Sequence, residues 1–221
     1  MKVVAIIPAR GGSKSIKNKN IIKIKNKPLI YYTLDKAIKS NVFDEIIVSS
    51  DSKKIIQLAK KYKKIKTIKR PKNISNDKSL TIDAILHVVK ILNSKHIFPE
   101  VIITLEPTSP LRSIKTIKEA ARVFRYNKKI DSLISVTETK ALYGKIKSGL
   151  FSYNENKIIR RRQDRVSLFK ETGTIWGTRI EYLNKYKKIV GGKIYPLIIN
   201  KDEDLDINDK EDIKIFKKLI T

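Results

Sequence analysis

The chain has 221 residues, with 49 Lys and Arg against 22 Asp and Glu, a formal net charge of +27. At 41% hydrophobic residues it can bury a real core, which excludes a wholly disordered chain, and no apolar run approaches the ~18 residues of a membrane span. With no Cys there is no disulfide framework, thiol nucleophile or Cys-ligated zinc, and two His supply a Ser-His-Asp triad poorly. The length corresponds to one core domain plus an elaboration. The opening apolar stretch is too short for a signal h-region, so the expected address is the cytoplasm. The charge comes from 39 Lys against 10 Arg, and Ile rivals Lys in number. Lysines spread along helices make solvated faces, so no specific nucleic-acid partner is expected, although small acidic substrates would be attracted.

In chain order, residues 3–7 read as a buried strand followed by a glycine-containing polar loop to Asn20. Residues 28–40 carry Leu29, Ile30, Leu34, Ala37 and Ile38 at helical spacing. A strand is expected over 45–49, a helix over 52–62 capped by Asp51 or Ser52, and a short strand over 65–68. Then come a helix over 81–92, a strand over 101–105, a helix over 113–125 and a strand over 132–136. Regular alternation predicts an α/β fold, a mostly parallel sheet with helices on both faces. From 138 to 170 the alternation stops, and two strand-like pieces, 150–153 and 157–159, flank the turn signal Asn154-Glu155-Asn156. This predicts a hairpin-rich arm inserted in the core. Strands over 173–178 and 194–199 and a helix over 209–219 complete the chain.

Ligands of such sheets bind beyond the carboxyl ends of the strands, which singles out the loops at 8–20, 49–51 and 106–112. In the first, Ala9-Arg10-Gly11-Gly12-Ser13-Lys14 places two glycines where successive N–H groups can face an anion, and Arg10, Lys14 and Lys19 add three cations. That combination suits a triphosphate, yet it is neither a Walker A loop nor the G-x-G-x-x-G fingerprint. It reads equally as a glycine turn in a lysine-rich protein.

Residues 7–14, with Lys19-Asn20, resemble the N-terminal signature of the CMP-sialic acid synthetases, the acylneuraminate cytidylyltransferases. Further resemblances follow in order: Ser49-Ser50-Asp51, Arg70-Pro71 with Asp77 and Thr81, Glu106-Pro107-Thr108-Ser109-Pro110-Leu111-Arg112, Arg162-Gln163, Gly173 with Ile175, and Asp206-Ile207-Asn208 with Asp212. They span roughly residues 3 to 215. The resemblance implies a Rossmann-like nucleotidyltransferase that joins CTP to a sialic-acid-like nonulosonic acid, releasing pyrophosphate. It implies catalytic roles for Arg10, Lys14 and Lys19, and a nucleotide site of Ala9, Arg10, Gly11, Gly12, Ser13, Lys14, Lys19, Asn20, Arg70, Asp77 and Thr81. Sugar contacts are implied for Glu106, Thr108, Ser109, Arg112, Lys145, Arg162 and Gln163, and Mg²⁺ ligation for Asp206 and Asn208. It also implies a homodimer through an arm at about 137–170. Departures are Glu106 where many relatives have Gln, Asn208 in place of a frequent Asp, and Thr172 before Gly173 in place of a frequent Asn. An octulosonate sugar, or a non-catalytic nucleotide- or polyanion-binding module, are the competing readings.

From the residues alone, Asp206 reads also as a cap element before the last helix, Arg112 as a partner of a helix carboxylate, and Arg160-Arg161-Arg162 as a solvated run. His87 and Trp176 read as packing residues.

Overall fold

The computed structural model describes residues 1–13, 15–155 and 157–220. Lys14, expected among the catalytic cations, lies outside them. Strand β1 (Val3–Pro8) is buried along its whole length, because it sits inside the sheet with a helical layer on either face. Val3, Ala5 and Ile7 point into one core and Val4 and Ile6 into the other.

After a short two-stranded ribbon, β2 (Lys23–Ile24) and β3 (Lys27–Pro28), helix α1 (Leu29–Ser40) leads to β4 (Glu45–Ser50). Helix α2 (Lys53–Ala59) and β5 (Ile65–Lys69) follow, then α3 (Thr81–Ser94), β6 (Val101–Thr104), α4 (Ile114–Tyr126) and β7 (Ser132–Thr139). The arm contains β8 (Gly144–Lys147) and β9 (Leu150–Tyr153). The chain returns through β10 (Leu168–Arg179), α5 (Ile180–Tyr186), β11 (Ile194–Ile198) and α6 (Lys210–Leu219). Apolar faces of α1, α2 and α4 fill one core, and those of α3 and α5 fill the other.

The seven-stranded sheet has the order β11-β7-β10-β6-β1-β4-β5. All neighbours are parallel except β10, which runs antiparallel to both β6 and β7. The chain moves outward from β1 to β4 and β5, then crosses back to β6 on the other side of β1. The loops after β1 and β6 therefore diverge from adjacent strand ends, which opens a crevice between them. A third apolar cluster, with Ile16, Ile24, Leu29, Ile207 and Phe216, packs the loop after β1 against the C-terminal segment.

Two expectations change and one choice is resolved. The hairpin turn is at Ser148-Gly149, where φ values of 50° and 77° give the two left-handed residues that a tight hairpin needs; residues 157–159 form no strand. Of the turn expected at 154–156, Asn156 lies outside the described residues. Second, β7 and β10 extend beyond the expected strands, pairing Leu168 with Thr139 and Lys170 with Thr137, so part of the expected arm is sheet. The cap of α2 is Ser52, which accepts from the Ile55 N–H at 3.4 Å, leaving Asp51 for another task.

Gly177 sits near the C-terminal end of β10, where a Cβ would stand 2.3 Å from Cε2 of Phe124. Phe124 is fully buried, so the ring has nowhere to retreat. Gly177→Ala should lower unfolding free energy by about 2 kcal/mol in urea titration, and a loss under about 0.5 kcal/mol would show that the core yields there.

Candidate active site

The loop after β1 begins with Ala9, whose side chain is in the core, and whose N–H donates to Ser49 O at 2.9 Å. The Gly11 N–H donates to Asp51 Oδ1 at 2.8 Å. This corrects the expected anion nest at its first glycine, because that donor is already used to tie two strand ends together. A Cβ on Gly11 would lie 2.9 Å from Cβ of Ser52, so close approach of the loop to α2 requires glycine there. Left-handed backbone at Asn18 turns the chain into a short 3-10 helix, Lys19–Ile21. Asn20 is thereby buried and its amide holds the Arg10 carbonyl at 2.9 Å, while Lys19 Nζ donates to Ile207 O at 2.8 Å. Burial lowers the Lys19 pKa, opposed chiefly by the Asp206 carboxylate.

Arg10 Nη1 donates to Asp77 Oδ1 at 2.8 Å and to Asn76 O at 3.4 Å, which draws the loop between β5 and α3 over the cleft. Arg70, at the end of β5, is buried and donates to Ser49 O at 2.9 Å; burial lowers its pKa, with Asp51 the main opposing charge. A cleft is lined by Arg10, Ser13, Lys19, Asn20, Arg70, Asp77, Thr81, Glu106 and Thr108, with Ser75, Asn76, Ser79 and Leu80 from the loop before α3. Three motifs far apart in sequence thus meet in one place. Ser75, Asn76, Ser79 and Leu80 carry no motif of their own, and only their position in a polar loop between a strand and a helix could have signalled them.

The loop after β6 has an internal support. The Arg112 side chain is almost wholly buried and donates to Thr174 O at 2.5 Å, Glu106 O at 2.9 Å and Thr33 Oγ1 at 3.5 Å. Lys36 Nζ reaches the same loop at Pro110 O, 2.6 Å, and burial brings its pKa down to about 8. Glu203, also buried, accepts from Ser113 N and Thr116 Oγ1, both at 2.7 Å. Ser109 Oγ donates to Gly173 O at 3.2 Å. Arg112 and Ser109, expected on the sugar, therefore face inward, because the turn they close would otherwise leave buried carbonyls unpaired. Neither Lys36 nor Glu203 was anticipated.

Glu106 is deep in the fold, with its side chain open to the cleft and Oε1 accepting from Thr81 Oγ1 at 3.3 Å. Burial raises its carboxyl to about 7, against the lowering effects of Thr81, Arg112 and Arg70. Beside the cleft, the Ile207 N–H donates to Thr108 O at 2.8 Å. Asp206 Oδ2 accepts from the Asn208 amide at 2.9 Å, and Asp206 Oδ1 is buried without a partner among the described residues. Asp212 accepts from the N–H groups of Asn208 and Asp209, and the cap of α6 is Asp209. Among the described residues no three His, Cys, Asp or Glu cluster as a metal cage. Gly12, Lys145, Arg162 and Gln163 do not line the cleft of their own chain. An apolar groove with Ile82, Trp176, Ile189 and Val190 adjoins it, sharing Leu80 and Thr81.

A family profile described as Cytidylyltransferase matches residues 4–217. A pseudaminic acid cytidylyltransferase of Campylobacter jejuni is 34% identical over 84% of this chain and 82% of its own length. A CMP-N,N'-diacetyllegionaminic acid synthase of Legionella pneumophila is 28% identical over 100% of this chain and 97% of its own. A solved CMP:2-keto-3-deoxy-manno-octonic acid synthetase, complexed with CTP, superposes with a TM-score of 0.75 at 15% identity, over 100% of this chain and 98% of that one.

Arg112→Met should destabilise the protein by about 3 kcal/mol or more in denaturant unfolding, because buried carbonyls lose their donors. A change under about 1 kcal/mol would return Arg112 to the cleft.

Proposed function

The chain belongs to the cytidylyltransferase family and is a nucleotidyltransferase, and from that premise we propose that it joins CTP to a nonulosonic acid, giving a CMP-sugar and pyrophosphate. The observation that carries this reading is the convergence of Arg10, Lys19 and Arg70 at the strand ends of one crevice. Relatives named for pseudaminic, legionaminic and N-acylneuraminic acids supply the sugar class. The apolar groove beside the polar cleft suits a sugar acid bearing acyl or deoxy substituents. A reaction that consumes CTP suits a cytoplasmic address, and no helix among the described residues is long and apolar enough to cross a membrane.

In-line attack of the anomeric hydroxyl on the α-phosphate asks the enzyme for position and for neutralised charge. Arg10 exchanges Asp77 for phosphate oxygens, and Lys19 and Arg70 add charge-assisted donors. Asn20 holds the Arg10 carbonyl and so aims that side chain. Ser13 and Asn20 complete the polar wall, and Asp77 and Thr81 face the nucleoside. The partnerless Oδ1 of Asp206 beside a cationic cleft fits Mg²⁺, a hard ion that takes few protein oxygens and fills its shell with water and phosphate. Asp206 would hold it with Asn208 as a weaker oxygen donor, and the bound ion would neutralise the phosphates.

The arm exposes Ile146, Leu150, Phe151 and Val166, and the extended end of β10 exposes Phe169. A two-stranded hairpin is marginal alone in water, so this apolar surface suits a second copy of the chain. Lys145, Arg162 and Gln163 would then reach the neighbour's sugar site.

A pyrophosphate-release assay crossing four nucleotides with a panel of nonulosonic and octulosonic acids tests the reading. Turnover should require CTP and a divalent ion; equal turnover with ATP would overturn it. Arg10→Ala and Lys19→Ala should each lower kcat/KM by about 100-fold or more with unchanged circular dichroism, and losses under threefold would remove them from the phosphate site. Mixing inactive Arg10→Ala and Arg162→Ala chains should restore part of the activity through mixed dimers. An active monomer, or no rescue after proven subunit exchange, would rule out the shared site.

A further inference from the structure

The anomeric hydroxyl is a poor nucleophile until its proton is taken, and the cleft contains carboxylates that differ in what they already hold. Asp77 is ion-paired with Arg10 at 2.8 Å. Asp206 accepts the Asn208 amide on Oδ2 and stands beside Lys19, and its open Oδ1 is the oxygen that would hold the metal. Glu106 makes no ion pair within 4.0 Å among the described residues. One oxygen accepts from Thr81 at 3.3 Å, and no described group donates to the other. Its main chain is fixed as firmly: the Glu106 carbonyl receives Arg112 Nη2 at 2.9 Å and Thr33 Oγ1 at 3.5 Å. A carboxylate anchored at both ends and lining the same cleft as Arg10, Lys19, Arg70 and Thr108 is placed for proton abstraction.

Resting on the proposed CMP transfer, we infer that Glu106 is its catalytic base. Its free carboxylate oxygen takes the proton of the anomeric hydroxyl. The O–H electron pair becomes the bond from that oxygen to the α-phosphorus. The bond from the α-phosphorus to the bridging oxygen breaks, and its electrons leave on pyrophosphate. Glu106 ends neutral and returns the proton to solvent when the products depart.

The surrounding charges suit this task. Burial raises the carboxyl to about 7, and the groups facing it oppose one another: Thr81 from α3, Arg112 from its own loop and Arg70 from the end of β5 lower the value, and Asp206 raises it. Lys19, from the loop after β1, also faces the carboxylate. A base whose pKa is near the working pH is ionised often enough to act and basic enough to accept a proton. Gln, which many relatives carry here, has the same shape and can accept a hydrogen bond but cannot take the proton, so the base is a feature of this chain and not of the family.

The test compares wild type with Glu106→Gln and Glu106→Asp, following pyrophosphate release with CTP and the turned-over sugar acid from pH 6 to 8.5. CTP affinity is measured by calorimetry and folding by circular dichroism. Wild-type kcat should climb about tenfold from pH 6 to pH 8 as Glu106 ionises. Glu106→Gln should lose about 100-fold or more in kcat at pH 8, keep CTP affinity within threefold, and lack that limb. The terminal phosphate of CTP titrates in both proteins, so the ratio of wild type to variant is diagnostic. Glu106→Asp should retain the limb at a reduced rate. A Glu106→Gln chain within threefold of wild-type kcat, or one keeping the full limb, overturns the base while leaving the CMP-transfer reading intact. A wild-type chain that releases no pyrophosphate with any sugar acid overturns both.

Discussion

The buried guanidinium of Arg112 is the constraint on which the cleft depends. It binds the carbonyl of Glu106 in its own loop, the carbonyl of Thr174 in β10 and the hydroxyl of Thr33 in α1. A charge taken out of water is tolerated only when its donors are satisfied, so the loop after β6 can close in one way only. That arrangement fixes where the Glu106 side chain emerges and where the Thr108 carbonyl meets Ile207. Through Ile207, whose carbonyl takes Lys19, the same constraint reaches the loop after β1. Floor and wall of the cleft are thus held by one connected set of hydrogen bonds.

Reversal of β10 makes this possible. A parallel strand next to β6 would bring another crossover helix over the crevice. An antiparallel strand instead delivers residues 172–174 beneath the β6 loop, where Thr174 O meets Arg112 and Gly173 O meets Ser109. The same strand continues outward to Leu168 and, with β7, becomes the stem of the arm. Support of the cleft and projection of the arm are therefore two ends of one strand.

The excess of positive charge has two distinct parts. Most lysines are solvated and interact weakly in water. Arg10, Lys19 and Arg70 differ because the fold sets them around a crevice also facing Asp77, Asp206 and Glu106. Opposed charges at close quarters leave the cleft prepared for an anion without leaving its cations uncompensated before one arrives.

The alternation of apolar strands with amphipathic helices was legible in the sequence, because burial on both faces demands Val-Val-Ala-Ile-Ile in β1 and a 3.6-residue period in α1, α3 and α4. So were the site loops, since the polar segments after β1 and β6 carry residues whose spacing and type stand out locally. What the sequence could not determine is the direction in which each side chain is spent. Gly11 reads as an anion-facing donor until the tertiary fold places Asp51 against it. Arg112, a sugar-binding cation by resemblance and a helix-carboxylate partner by its own sequence, is instead held by Thr174, sixty-two residues away. Lys36 and Glu203 are unremarkable in a lysine-rich chain until the fold brings a half-buried Lys36 to Pro110 O and a buried Glu203 to Ser113 N. Local pattern is set by the period of burial, which neighbouring residues encode together. Satisfaction of buried donors and charges is set by partners distant in sequence, so only the tertiary structure decided which polar residues support the cleft and which face into it.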